Sequence, residues 1–265
     1  MSSVLLALAG VLAAAYLAAC LLLYWQERSM VYLGQLTRAD ASQTDFELLR
    51  AGVTLRGWVV NPGQSNALLY FGGNAESIEG NRDALATALP RTTSYLLAYR
   101  GYGASEGAAT ERALLEDAEA LYDHVRQNHP GAPISVIGRS LGSGVASHLA
   151  SRRPVARLVL VTPFDSLVAV AKSHYPFLPV GLLMRERYES TLKLPRHQGP
   201  LLIIQAQHDE IVPSANTRRL VEALPREATV EVLEGAGHNT VSDIPAYWNA
   251  IGHFLEPANQ ATPAP

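Results

Sequence analysis

The sequence predicts an α/β protein, a mostly parallel sheet with helices on both faces, preceded by an N-terminal transmembrane helix. Three observations predict it. Short apolar runs bounded by turn residues recur through the chain and alternate with longer amphipathic stretches. Most of these runs have no polar alternation, as strands buried on both faces require. The residues from Val4 to Tyr24 carry no charged side chain and are enough to cross about 30 Å of hydrocarbon as a helix. The 265 residues are 48% apolar and 17% charged with a net charge of −3, which excludes a disordered chain and gives no electrostatic footprint for nucleic acid. One cysteine excludes a disulfide framework and a cysteine-based zinc site. Lys172 and Lys193 are the only lysines and the arginines are scattered, so no polybasic segment is present.

The apolar segment ends at Trp25, Gln26, Glu27 and Arg28, with Tyr24 and Trp25 suited to a headgroup boundary. Its whole circumference is apolar, unlike that of an ordinary surface helix. A cleaved signal peptide would want basic residues ahead of the run, and Ser2 and Ser3 supply none. Leu17-Ala18-Ala19-Cys20 is similar to a lipoprotein box, but Leu21 to Tyr24 continue the run past the cleavage point. We therefore expect a single-pass anchor over 1–27, with its orientation open because Glu27 and Arg28 cancel. The low Lys-to-Arg ratio and abundant alanine point to a GC-rich bacterial source, hence a bacterial cell membrane.

A domain over 28–255 follows. Phe46 to Leu49 and Val53 to Val60 predict a hairpin turning at Gly52. Further strands are expected at Ala67 to Phe71, Tyr95 to Ala98, Ile134 to Gly138, Leu158 to Val161, Leu201 to Ile204 and Thr229 to Leu233. Leu114, Ala118, Leu121 and Val125 fall on one face of a helix from Glu111 to Val125. Helices are also expected near Ile78 and over Leu141 to Ser151, Ser214 to Leu224 and Ile244 to Leu255. Residues from about 168 to 200 hold an apolar stretch, Tyr175 to Met184, expected to be either a short lid that receives an apolar group or an ordinary crossover. The Pro-punctuated tail over 256–265 is expected to be disordered.

The pattern G-x-S-x-G occurs twice, as Gly103-Ala104-Ser105-Glu106-Gly107 and Gly138-Arg139-Ser140-Leu141-Gly142. A nucleophilic serine belongs on a sharp turn between a strand and a helix, with glycines on either side to let backbones approach. Ser140 meets this: a buried run ends at Gly138 and a helix begins at Leu141. Ser105 stands well beyond its strand with no helix before about Thr110, so it reads as a loop residue. The alternative for the segment around Ser140 is a glycine-rich turn that binds phosphate at a helix N-terminus. A serine nucleophile needs a base, and the base needs an orienting carboxylate. On such a sheet the order is Ser, acid, His. His238, in Gly235-Ala236-Gly237-His238-Asn239, is the candidate base; His253 lies inside the terminal helix. Asp209, after Leu201 to His208, is the candidate acid, with Asp165 as competitor, or as N-cap or turn residue for the segment starting at Ser166. Glu210 and His208 read as loop neighbours. The remaining histidines show no paired ligand spacing, so neither metal nor cofactor is expected. Oxyanion donors are expected from the Leu141 N–H and from the loop Gly72-Gly73-Asn74-Ala75-Glu76.

Taken together, Phe71 to Glu76 (FGGNAE), Tyr99 to Gly107 (YRGYGASEG), GRSLG around Ser140, Thr162 to Leu167 (TPFDSL), His208 to Pro213 (HDEIVP) and GAGHN around His238 resemble the α/β-hydrolases of the membrane-anchored abhydrolase-domain type, which include protein depalmitoylases. The resemblance covers nearly the whole chain. It implies an α/β-hydrolase fold, a catalytic triad of Ser140, Asp209 and His238, and an oxyanion hole from the N–H groups of Asn74 and Leu141. Relatives carry His where Gly72 stands and Asp where Ala98 stands; glycine at 72 predicts a less rigid oxyanion loop. Arg139 is left to balance a carboxylate or meet an anionic substrate group. The expected activity is hydrolysis of a carboxylic ester or thioester, with a small-molecule or acylated substrate. A serine peptidase and an inactive anchored binding module are the alternatives.

Overall fold

The computed structural model describes residues 2–50 and 52–256. The tail beyond Glu256 lies outside them. The N-terminal helix α1 runs Ser2–Val31, continuous through Cys20 and four residues longer than the expected anchor. The extra turn is explained by its partners in the domain. Glu27 is buried and accepts hydrogen bonds from the backbone N–H groups of Arg185 and Glu186, at 2.6 and 2.8 Å. The polar end of α1 is thereby a joint with the domain, not a free linker.

Eight strands form one sheet: β1 (Phe46–Arg50), β2 (Val53–Val60), β3 (Asn66–Phe71), β4 (Thr92–Leu97), β5 (Ile134–Arg139), β6 (Leu158–Val161), β7 (Leu201–His208) and β8 (Thr229–Gly237). Their order is β1-β2-β4-β3-β5-β6-β7-β8, with β1–β2 and β2–β4 antiparallel and every other pairing parallel. The hairpin turns at Gly52, whose φ of 76° suits a residue without Cβ. Burial follows position in the sheet. β3, β4 and β6 are inside, apart from Asn66, while β1 alternates buried and exposed and β8 exposes Val230 and Val232 at the far edge.

The principal flanking helices are α2 (Arg82–Ala88), α3 (Glu111–Asn128), α4 (Leu141–Arg152), α5 (Leu167–His174), α8 (Ser214–Glu222) and α9 (Pro245–Leu255), with α6 (Val180–Leu183) and α7 (Ser190–Lys193) as short turns in the lid. A 3-10 turn, Ile78–Asn81, precedes α2. The Thr110 hydroxyl caps α3 by accepting from the Ala113 N–H at 3.1 Å, and α3 buries Leu114, Ala118, Leu121 and Val125 as the periodicity predicts. α3 packs on α4, and α2 on α9. The chain leaves β3 to pair β4 on one side and β5 on the other, so the carboxyl ends of β3 and β5 flank a switch point, where open α/β sheets bind ligands.

Candidate active site

The turn from β5 into α4 is built of small residues because three backbones converge there. A Cβ at Gly138 would lie 2.6 Å from that of Ala146, and one at Gly142 would overlap the Phe71 carbonyl oxygen and lie 2.7 Å from that of Gly72. Between these glycines Ser140 adopts φ 49° and ψ −115°, a strained conformation for a non-glycine residue. It is held by the Ser140 N–H donating to the Val161 carbonyl at 2.9 Å. The strain lifts the hydroxyl off the end of the sheet.

Two loops meet it. β7 ends at His208 with a register shift against β8, and Asp209 follows; β8 ends at Gly237, and His238 follows. His238 Nε2 lies 2.9 Å from Ser140 Oγ, and His238 Nδ1 lies 2.9 Å from each oxygen of Asp209. The Asp209 carboxylate also accepts from the backbone N–H groups of Ile211 and Val212, at 3.0 and 2.7 Å. Each such bond to a charged acceptor contributes about 1.5–3 kcal/mol, enough to hold one rotamer. His238 and Asp209 are both buried at the side chain, at 6% and 5% exposure. This arrangement makes Nδ1 the protonated nitrogen and leaves Nε2 to accept from Ser140.

The loop after β3 faces the same hydroxyl. A Cβ at Gly73 would be 3.5 Å from that of Ser140. The Asn74 side chain is turned away, its Oδ1 accepting from the Leu33 N–H and the Tyr102 hydroxyl, each at 2.9 Å. The loop is firmly held, contrary to the expectation from glycine at 72. The Gly72 carbonyl accepts from Tyr99 at 2.9 Å, and the Gly73 N–H donates to Glu76 Oε2 at 2.5 Å. The space of a side chain at 72 is occupied by Ile78.

Arg139 has its role in the same loop. Its guanidinium pairs with Glu76 at 3.1 Å and donates to the carbonyls of His238 and Asn239, at 3.4 and 3.3 Å. Both members of the pair are 11% exposed. Burial works against the Arg139 charge, but Glu76, with Tyr70 and Tyr247, together outweigh it and the guanidinium pKa lies above its ordinary value. Tyr70 and Asn81 complete the Glu76 shell, donating at 2.7 and 2.8 Å. Burial, with Glu76 second, pushes the Tyr70 phenol well above its usual pKa, so it remains a donor. Arg139, at the end of β5, therefore bridges the loop after β3 and the loop carrying His238.

Two cavities open on Ser140. One, about 480 Å³, is lined by Leu23, Met30 and Val31 of α1 and by Leu178, Leu183 and Met184 of the lid. The other, about 410 Å³, is more polar than the first and is bordered by Asn74, Glu76, Arg139, His238 and Asn239, with Leu33 and Ile211.

A family model described as "Serine aminopeptidase, S33", of the Hydrolase_4 family, matches residues 67–179. A Mycobacterium tuberculosis protein of undescribed function is 36% identical over 213 residues, covering 77% of this chain and 75% of its own. The alpha/beta hydrolase domain-containing protein WAV2 of Arabidopsis thaliana is 27% identical over 232 residues, with the same two coverages. The esterase Pf2001 of Pyrococcus furiosus superposes with a TM-score of 0.64 at 22% identity, covering 80% of this chain and 90% of that one, a likeness of fold. The chain belongs to the α/β-hydrolase family. It has the α/β-hydrolase fold.

Within this hydrolase, Ser140, His238 and Asp209 come together and the competing residues do not. Ser105 is buried in its loop, its hydroxyl donating to the Ala98 carbonyl at 2.8 Å and accepting from the Arg56 N–H at 2.8 Å. Asp165 is taken up by Asn216 and Arg219, at 2.8 and 2.5 Å. The adjacent Ser166, not Asp165, caps α5. His208, Glu210 and His253 are exposed. No metal-binding cluster occurs among the described residues. Sequence reasoning missed Glu76 and the wall that α1 adds to the apolar cavity. The spacing of Glu76, three residues after Gly73, was the available signal for the first.

Proposed function

We propose that this hydrolase is a membrane-anchored serine esterase or thioesterase acting on substrates with an apolar acyl group. The observation that carries the reading is the hydrogen-bond chain Asp209–His238–Ser140 at the mouth of the apolar cavity. In this reading Ser140 Oγ attacks the acyl carbonyl carbon while His238 Nε2 takes its proton. Asp209 stabilises the imidazolium through Nδ1. The N–H groups of Leu141 and Asn74 receive the oxyanion. The carbonyl reforms as the leaving alcohol or thiol departs through the polar cleft with the proton from His238. Water, deprotonated by the same imidazole, then attacks the acyl-Ser140 carbonyl; the bond to Oγ breaks as His238 returns the proton to Ser140, and the carboxylic acid is released. The acyl chain rests throughout in the cavity beside α1.

A peptidase is the competing reading, favoured by the description of the matched family model. An aminopeptidase would need a free carboxylate for the substrate ammonium. Glu27 lines the apolar cavity, but both its oxygens are engaged by residues 185 and 186. Glu76 borders the polar cleft and is neutralised by Arg139. The test is covalent labelling with a fluorophosphonate, beside turnover of p-nitrophenyl esters, thioesters and aminoacyl amides. Wild type and Ser105→Ala are expected to label, and Ser140→Ala to remain unlabelled with turnover reduced roughly 10⁴-fold or more. Labelling of Ser140→Ala but not Ser105→Ala moves the nucleophile. An unlabelled wild type leaves an inactive binding module, and a steep preference for the amides a peptidase.

A further inference from the structure

Outside α1, the most exposed large apolar side chains among the described residues are Phe177, at 90%, and Leu182, at 87%. Both lie on the lid loop over 173–184. This loop carries no Asp, Glu, Lys or Arg, and is bracketed by Lys172 and Arg185. The loop is fastened to α1 at two levels. At the lower level Glu27 receives the Arg185 and Glu186 N–H groups and the Arg185 guanidinium, and Arg28 donates to Glu186 at 2.9 Å. At the upper level the Tyr16 hydroxyl donates to the Phe177 carbonyl at 3.0 Å. Tyr16 precedes Glu27 by eleven residues, so the loop climbs along α1 by about 16 Å.

That climb sets a depth. Trp25, 80% exposed, stands at the boundary end of the apolar run. Tyr16 is nine residues beyond it, about 13 Å along the helix and so close to the middle of a hydrocarbon core of about 30 Å. A loop carbonyl at that depth is costly without a donor, as is a phenol without an acceptor. Tyr16 and Phe177 satisfy one another, which a loop bathed in water would not require.

We propose that the lid loop is inserted beside α1 in the membrane leaflet next to the domain, and that the apolar cavity is loaded from that leaflet with a membrane-resident acyl ester or thioester. The proposal rests on α1 being an uncleaved span and on Ser140 being the nucleophile. Its walls support it. Leu23 comes from the apolar run of α1 and Leu178 and Leu183 from the lid loop, so part of the surface that receives the chain is made by the two segments that stand in hydrocarbon. An acyl chain passing between them reaches Ser140 without crossing water. The polar cleft, on the Arg139 and Asn239 side, takes the headgroup or other leaving group.

The test uses the full chain in phosphatidylcholine vesicles. Phe177 and Leu182 do not line the cavity, so Phe177→Asp/Leu182→Asp leaves the chemistry in place. This variant is expected to hydrolyse p-nitrophenyl acetate in water within about twofold of wild type, and 4-methylumbelliferyl palmitate dissolved in the vesicles at least roughly tenfold more slowly. Equal turnover of the palmitate by both proteins overturns the insertion. A wild type that hydrolyses neither ester instead overturns the reading of Ser140. Insertion is then decided independently by Phe177→Trp. Its added fluorescence, relative to the native tryptophans, is expected to be quenched by lipids brominated at mid-chain and spared by aqueous iodide. The reverse pattern overturns the proposal, whether or not the double variant folds.

Discussion

Gly142→Ala tests the geometry of the proposed oxyanion site without removing a polar group. The new Cβ would overlap the Phe71 carbonyl oxygen and stand 2.7 Å from the Gly72 carbonyl oxygen. Non-bonded heavy atoms rest near 3.5 Å, so the first turn of α4 and the end of β3 must part by about 1 Å. Those two elements carry the N–H groups of Leu141 and Asn74. Neither can yield elsewhere, because Gly138 is already tight against Ala146 and Gly72 is backed by Ile78. The opening therefore appears as a wider separation between the two donors. Misplacement by about 1 Å costs on the order of 100-fold, and loss of one oxyanion donor about 100- to 1000-fold. We expect kcat for p-nitrophenyl butyrate to fall in that range with KM changed by less than about threefold. Overpacking would lower stability by about 1–3 kcal/mol, measured separately by urea denaturation. Gly80→Ala is the control: its Cβ meets nothing within 4 Å, and it should behave as wild type. A folded Gly142→Ala enzyme with undiminished kcat would refute the assignment of the donors.

Glu76→Gln leaves the Arg139 cation buried without its counter-charge and loosens the tie between the two active-site loops. Breaking such a pair costs about 3–5 kcal/mol, and we expect kcat to fall roughly 10- to 100-fold while KM holds, a split that stopped-flow and steady-state kinetics resolve. Leu23→Trp fills the cavity from the α1 side. Turnover of long-chain esters should drop roughly tenfold while acetate is unaffected, and an unchanged chain-length profile would place the acyl group elsewhere. His129, His148 and His197 are each held below the ordinary value of 6.5, first by burial. The folded chain then binds fewer protons than the unfolded one below that value, so stability falls as pH drops from about 7 through 6.5 toward the depressed values. Thermal unfolding across this range should show it, and His148→Gln should flatten the slope.

The order of strands and helices was legible because periodicity is a property of neighbouring residues. The runs at Leu158 to Val161 and Ala67 to Phe71 are buried on both faces as read, and the amphipathic face of α3 is the one that packs. The preference for Ser140 over Ser105 as candidate rested on one serine joining a strand directly to a helix, and the structure does place Ser140 between β5 and α4. His238 and Asp209 followed from chain order and loop placement, although the strands ahead of them run four residues longer than their apolar cores suggest. Those extensions are polar or small, and the pairing of β7 with β8 decides them, not hydrophobicity.

By itself, then, the sequence determined the fold class, the apolar N-terminal helix and which serine, acid and histidine were candidates. Tertiary structure alone decided that Arg139 meets Glu76 across 63 residues, that Glu27 meets Arg185 across 158, and that α1 is a wall of the cavity beside Ser140. The physical reason is that propensity and spacing act along the chain. The partner of a buried charge depends instead on which groups the closed sheet and its helices bring within hydrogen-bonding reach.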